Sequence, residues 1–483
     1  MTQTLLYERV MDETRLAVIE DGRLAEIYIC RLDGENLSGN IYLGRVENVL
    51  PGMNAAFVDI GMDKNGFLSA GDGATGDERI EKLARPGQEI LVQAVKSQPG
   101  GKGPRLSGHV TLPGRLLALL PDVRYVGVSR KLDDDARARL HALGEALLCE
   151  TGAGLILRTA AAEADEDAIR AEYARLNALW ADIQRRAEHG IAPRLLHDDN
   201  ALALRAVRDR LGGDVDAIWA DGAACFEELR LFTGTLAPEY VDRVRLHDGA
   251  TPLFDLYRVD AQLDKALQKY VWLKSGGSLV IEETEALTVV DVNTGKNVGK
   301  RSAEETVFRN NLEAAEELMR QLRLRDIGGI VVVDFIDMKS KEHREALLDA
   351  LRSLAKRDRV KVNVVGITGL GLVELTRKKE RQSLSRQLLH TCSDCSGNGV
   401  VPSHETTARR IVREIANRRR RGDESPLLIE AAPKVCGWLK TIGVPDGGAT
   451  YAHPLEGMGA GECEISLVDP SALPQGAKTL KRG

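Results

Sequence analysis

Cysteine is thin in this chain, with seven residues in 483, an odd number. That argues against a disulfide framework and fits a reducing cytoplasm. Long apolar runs are missing as well. Nowhere do ~18 uncharged apolar residues follow one another, so no transmembrane helix is expected. The N-terminus, MTQTLLYERVMDETRLAVIE, is broken by charge every few residues and reads as neither signal peptide nor membrane anchor. Aromatics make up only 4% of the chain. A surplus of positive charge is also absent, since the net charge is −6. That sum argues mildly against a nucleic-acid partner, although local charge overrides the total. The remaining balance, 43% hydrophobic and 29% charged, excludes a disordered or fibrous chain. At ~100–200 residues per domain, the length allows roughly three to four domains.

The chain opens with TRLAVIE, an Asp-Gly turn and RLAEIYICRL, which reads as a hairpin of half-buried strands. Residues 39–110 are rich in Gly and short β runs, with turns every ~8–12 residues, and predict a small closed barrel. Residues 111–204 mix strands (YVGVSRKL, GLILRTAA) with charged helices such as EADEDAIRAEYARLNALWADIQRRAEH. From about 205 the pattern is α/β. ETEALTVVDVNTG is a strand, and Ser302 and Glu305 have capping-box spacing for a helix over about 303–326. GGIVVVDFIDM is a second, almost unbroken apolar strand. A helix over about 341–357 and the strand VKVNVVGIT follow, so three parallel strands are expected in one sheet.

Asp291 and Asn293 are two apart on one strand and share a face. Asp334 ends the next strand, 43 residues later. A right-handed crossover finishes both strands at the same sheet edge, where α/β sheets place ligands. Two carboxylates and an amide oxygen are hard ligands suited to Mg²⁺ or Mn²⁺. Such an ion can activate water and neutralise charge on a phosphodiester. The alternative is that strand-end acids are helix caps or solvated loop residues. Unpaired carboxylates in such apolar strands would be costly, which favours the site. Asp337 reads rather as the cap of the following helix.

In the barrel, Phe57 and Phe67 fall on β runs with Lys64 and Lys102 nearby. Such barrels bind single strands by stacking bases on aromatics beside cations. The commoner fate of a Phe is the core. Further on, Cys392 and Cys395 form CSDCSGNG, half of a tetrahedral zinc site, and no second CxxC exists in the chain. The simplest completion is the same pair from a second subunit across a two-fold axis. His390 is a weaker substitute ligand. A redox CxxC belongs at a helix start after a strand, not in a Gly-rich segment.

GNIYLGRV, AAFVDIG and GFL resemble an S1-type RNA-binding domain. With TVVDVNTG, RQLRLRDIGGIVVVDFIDM and GLGLVELTRKK, the chain resembles the ribonuclease E/G family from its first strand to the cysteine pair. LPGMNAAFVDIGMDK, and the lack of a long disordered C-terminal extension, stand closer to the ribonuclease G side of that family. The resemblance implies a multidomain α/β fold. Its expected parts are a ribonuclease H-like subdomain in two pieces (1–38 and 205–266), the S1-type domain (39–110) and a 5′-phosphate sensor region (111–204). A DNase I-like catalytic subdomain (267–388), a zinc link (389–402) and a small C-terminal α/β domain (403–483) complete it.

The same resemblance implies that Asp291 and Asp334 bind catalytic magnesium, with Asn293 in support. It further implies endonucleolytic cleavage of single-stranded, AU-rich RNA to 3′-hydroxyl and 5′-phosphate ends, stimulated by a substrate 5′-monophosphate. The sensor would be Arg158 and Thr159 with Gly114, Arg130 and Lys361. Lys361 stands where ribonuclease E carries an arginine, losing the bidentate fork, and Ala118 stands where it has a valine. Precursor ribosomal RNA and messenger RNA are the implied substrates. Zinc would join a homodimer, and dimers could pair into tetramers.

Residues 352–388 hold ten Lys/Arg against three acids and read as an RNA-contacting stretch near the acids. Arg409, Arg410, Arg413 and Arg418 to Arg421 form a second cluster, read as a solvated helix face. Two rivals remain at this stage: a non-catalytic S1-domain RNA-binding or ribosome-assembly protein, and a DNA-directed nuclease.

Overall fold

The structure is a computed structural model that describes residues 3–31, 37–70, 79–96, 103–199, 202–212, 214–295 and 303–481. The chain forms two compact units, 1–385 and 386–483.

In the first unit, strands Glu13–Glu20 and Arg23–Arg31 form the expected hairpin. Asp21 and Gly22 both take positive φ, +48° and +74°, as a two-residue primed turn requires. Gln3–Val10 pairs with this hairpin on one side. On its other side it runs parallel to Val215–Asp221, far along the chain. The intervening chain contributes the barrel and a four-stranded sheet.

The barrel closes as Ile41–Leu50, Ala55–Asp59, Gly66–Ser69, Arg105–Ser107, Glu89–Lys96 and back to Ile41–Leu50. Val46, Val58, Leu68, Val92 and Leu106 fill it. Gly66 is required there, because a Cβ would lie 2.3 Å from Leu106 Cδ1. The four-stranded sheet (112–113, 117–120, 126–128, 154–157) packs on helices Asp134–Thr151 and Glu166–Glu188, whose N-caps are Asp133 and Asp165.

The α/β part is a six-stranded mixed sheet. Its spatial order is Tyr270–Trp272, Ser278–Glu283, Leu287–Asn293, Gly329–Asp334, Val373–Arg377 and Val362–Ile367. Leu287–Asn293 and Gly329–Asp334 are parallel neighbours. Val362–Ile367 points the same way but is not adjacent to them. Antiparallel Val373–Arg377 lies between, because the short turn at 368–372 returns the chain as a hairpin. Helices Ala303–Leu324 and Lys341–Ala355 pack on one face, around Val290, Val292, Val331, Val333 and Leu375.

The apolar reading of these strands needs correction. Burial alternates strictly along Leu287–Asn293 and Val373–Arg377. Among the described residues the sheet is covered on one face only, and Ile330 (51% exposed) and Val289 (41%) lie on the open one. Ser340, not Asp337, caps the helix Lys341–Ala355, its hydroxyl accepting from the His343 amide.

Ion pairs join two helices, Leu202–Arg210 and Ala303–Leu324, to the N-terminal sheet. Arg210 pairs with Glu26 and donates to Tyr28, and Arg323 pairs with Glu20. The basic stretch 352–388 is partly structural for the same reason. Arg377 is 4% exposed, holding Asp358 at 2.8 Å and Asp326 at 3.0 Å. Arg381 stacks on Tyr28 at 4.1 Å. These two guanidiniums are committed to folding rather than to phosphates.

In the second unit, Leu427–Ala431 lies between parallel Thr450–Pro454 and antiparallel Cys463–Leu467, and Lys478–Thr479 extends the sheet. Helices His404–Arg420 and Pro433–Ile442 supply its core. Arg409 and Arg418 pair with Glu405 and Glu414 one turn away, as on a solvated helix face. Among the described residues, no helix is long and apolar enough to cross a membrane.

Candidate active site

Asp291 and Asp334 are direct register partners on adjacent parallel strands. Their α-carbons are therefore about one interstrand spacing apart, ~4.8 Å, and their side chains leave the same face. Both are exposed, on the open face. Asn293, two residues on, donates from Nδ2 to Asp291 Oδ2 at 2.8 Å. Alternation places the three side chains together while Val290, Val292 and Val333 anchor the strands from below.

Asn311, fully buried on the helix Ala303–Leu324, fixes the chain just after Asp334. It donates to the Ile336 carbonyl at 2.8 Å and accepts from the Ile336 amide at 3.1 Å. Nothing in the sequence marked this residue, since an Asn inside a helix carries no motif by itself.

Among the described residues, no third His, Cys, Asp or Glu joins the two acids in a metal-holding group. The donor set of two carboxylates with a neighbouring amide fits an ion that keeps waters and takes substrate oxygens, as Mg²⁺ does.

Phe57 and Phe67 are cross-strand partners with ring centroids 5.8 Å apart, edge to face. Their chain neighbours Ala56, Val58 and Leu68 point inward, so the two rings lie half-buried on the outer wall rather than in the core. Exposed Arg105 is the register partner of Phe67. Lys102 lies outside the described residues.

Of the five residues expected to sense a 5′-phosphate, Arg158 and Thr159 make hydrogen bonds in one region of the fold, and Arg130, Lys361 and Gly114 adjoin in sequence residues bonded there. Arg158 Nη1 pairs with Asp209 at 2.7 Å, and Arg208 reaches Asp209 at 3.3 Å. Arg208 and Arg158 outweigh burial and hold the Asp209 carboxyl below the usual range. The Asp209 carbonyl accepts from Arg359, two residues before exposed Lys361. The Arg359 carbonyl in turn accepts from Lys131 at 3.4 Å. Ser129 bonds the Thr159 hydroxyl at 2.9 Å, and Arg130 stands exposed between Ser129 and Lys131. Arg208 also donates to the carbonyl of Pro113, beside Gly114.

Gly114 has a structural reason to lack a side chain, because a Cβ there would lie 2.6 Å from Glu172 Oε1. That buried carboxylate accepts from the amides of Arg115, Leu116 and Leu117. Asp209, Ser129 and Lys131 were not singled out from the sequence. They are common residue types, and only tertiary contacts join them.

Cys392 and Cys395 lie in the second unit, on a turn with Gly397 and Gly399 at positive φ. The amides of Gly399 and Gly397, then the Cys392 thiol, hold the Cys395 thiol below its usual range. A thiol kept ready to ionise suits zinc. Among the described residues no further Cys, His or acid completes a set of three within the chain.

The sequence model of the Ribonuclease E/G family matches residues 111–380. The chain is 40% identical over 454 residues to Ribonuclease G of Salmonella typhimurium (strain SL1344), covering 91% of this chain and 93% of that protein. It is 41% identical over 449 residues to Ribonuclease G of Haemophilus influenzae (strain ATCC 51907 / DSM 11121 / KW20 / Rd), covering 90% and 91%. Against Ribonuclease E of Escherichia coli (strain K12) the identity is 36% over 427 residues, covering 86% of this chain and 40% of that protein. A family match over more than half the chain, and relatives aligned nearly end to end, lead to one conclusion: the chain belongs to the ribonuclease E/G family and is an endoribonuclease.

Proposed function

We propose that this enzyme cuts single-stranded, AU-rich RNA with magnesium held by Asp291 and Asp334. The observation that carries this reading is the register of those two acids on an open sheet face. Asn293 donates to one oxygen of the Asp291 carboxylate, and the other oxygen would hold the ion. Bound magnesium supplies Lewis-acid charge neutralisation and water activation. Water oxygen bonds to phosphorus and the P–O3′ bond breaks, which gives a 3′-hydroxyl and a 5′-phosphate. Phe57 and Phe67 stack bases on the barrel wall. The substrates that the family resemblance implies are precursor ribosomal RNA at its 5′ end and messenger RNA. The seven cysteines are all free, as in a cytoplasmic protein. The proposed division into ribonuclease H-like, S1-type, sensor, DNase I-like, zinc-link and C-terminal parts follows the boundaries given above.

Arg158 and Thr159, with Arg130 and Lys361 beside them, grip a 5′-monophosphate. The test is cleavage of 5′-monophosphorylated and 5′-hydroxyl forms of one RNA, with and without magnesium. The phosphorylated form is expected to be cut faster, and neither form without the metal. Arg158→Ala is expected to bring the two rates together, about a tenfold loss of preference for a charge-assisted contact, while 5′-hydroxyl RNA is cut as before. A preference unchanged in Arg158→Ala refutes this sensor.

Cys392 and Cys395 of two subunits share one zinc ion in this reading, joining a homodimer. Changing both cysteines to Ser is expected to remove zinc from the purified protein, by elemental analysis, and to shift the sedimenting species from dimer to monomer. A zinc-free parent of the same size overturns the link.

A further inference from the structure

The edge strand Tyr270–Trp272 is the outermost strand of the sheet that carries the two acids. It pairs on one side only, with Ser278–Glu283. Its middle residue, Val271, is buried in the core beneath the sheet. Alternation therefore turns Tyr270 and Trp272 to the opposite, open face. Both are exposed, Trp272 at 74% and Tyr270 at 58%. A tryptophan left this open contributes little to folding, and the chain has only four of them.

The register ties these rings to the acids. Tyr270 is opposite Val280, Val280 opposite Asp291, and Asp291 opposite Asp334. These four residues form one row across the open face. The next row runs from Trp272 through Ser278 to Asn293. Each aromatic residue thus stands two strand spacings, about 10 Å, from the polar residue of its row. That distance is the reach of the nucleotides flanking a linkage held at Asp291 and Asp334. Cations bracket the rings, as Lys269 and Lys274 are both exposed. Lys269 pairs with Glu282 at 2.7 Å and so offsets that acid's charge. Aromatics interleaved with cations on an open surface form a surface that stacks bases and tracks phosphates.

We propose that Tyr270 and Trp272 form a base-stacking platform. It holds unpaired nucleotides next to the scissile linkage and favours single-stranded over paired RNA. The proposal rests on the nuclease reading of Asp291 and Asp334. The barrel aromatics lie on a different sheet, so this platform is a separate contact.

The test uses the full chain. With the cut site mapped on a short single-stranded RNA, Trp272→Ala and Tyr270→Ala are expected to raise KM about tenfold each with kcat nearly unchanged. Trp272→Phe is expected to restore most of the affinity. Removing the bases beside the cut site is expected to weaken the parent about tenfold but to cost Trp272→Ala little more. In the Asp291→Asn background, titration with the same RNA is expected to quench tryptophan fluorescence, and Trp272→Phe to remove much of that quench.

An unchanged KM in both alanine variants overturns the platform. So does a base-removal penalty equal in Trp272→Ala and the parent. Sedimentation showing that Trp272→Ala breaks the assembly also overturns it, because the surface would then be a contact between copies. If the parent cuts no RNA yet shows the quench lost in Trp272→Phe, the nuclease reading fails and the platform stands.

Discussion

Asp291→Asn is expected to reduce cleavage of single-stranded RNA at least about a thousandfold, ~4 kcal/mol of transition-state stabilisation, while RNA binding stays within a few-fold of the parent. Asp334→Asn should do the same, and the double variant should lose little more, because either substitution breaks the same two-carboxylate grip. The reasoning is geometric. The two acids occupy matched positions on adjacent parallel strands and share one solvent-open face. Neutralising one leaves a single charge to hold a divalent ion, with a neutral amide in place of the other ligand. The strands themselves are anchored by Val290, Val292 and Val333 on the covered face, so folding should survive. Cleavage within tenfold of the parent by Asp291→Asn, at saturating magnesium, refutes the assignment. Binding is measured separately by gel shift at the same salt, since phosphate contacts depend on it.

Arg210→Met is expected to destabilise the first unit by about 3 kcal/mol or more at pH 7, read as a lower midpoint in urea. Burial pushes the Glu26 carboxyl up, but Arg210 and Arg323 together outweigh it and hold the group at about 2. Removing Arg210 strips that carboxylate of its main partner, leaving Arg323 at 4.0 Å and the Tyr28 hydroxyl at 2.9 Å. The pH dependence follows from the sign of the shift. The folded value lies below the unfolded one, so the stabilisation is fully present above about 4.5. It is lost as pH falls from there toward about 2. The parent should therefore weaken over that window, while Arg210→Met, whose stranded carboxyl protonates readily, should weaken less. The gap between the two should narrow on acidification. Glu26→Gln in the Arg210→Met background should recover part of the loss. A gap that widens as pH falls contradicts the account.

These two cases differ in how far the sequence reached. Asp291 and Asp334 were legible because a right-handed crossover leaves little freedom in where two successive parallel strands end. Two residues at the same depth in such strands must be neighbours. The Asp-Gly hairpin and the closed barrel were legible for the same reason, as turn chemistry and period-two alternation are local. Arg377 shows the opposite. In sequence it belongs to a basic run and looks like a phosphate ligand. In the fold it is buried between Asp358 and Asp326. Charge counts cannot separate the two, since the partners come from other elements. The openness of the α/β sheet was likewise misread, because a run such as GIVVVD looks doubly buried when its covering layer is unknown.

The amino-acid order alone therefore determined the strand and helix sequence, the family and the pairing of the two acids. Each follows from short-range alternation, turn chemistry and the handedness of one crossover. Only the tertiary structure decided which face of the sheet meets water, which arginines are locked in buried pairs, and that Asp209 gathers Arg158, Arg208 and Arg359. Those outcomes rest mainly on contacts between residues about twenty to three hundred positions apart. No local pattern encodes such contacts, because desolvation and packing act on whatever the completed fold brings together.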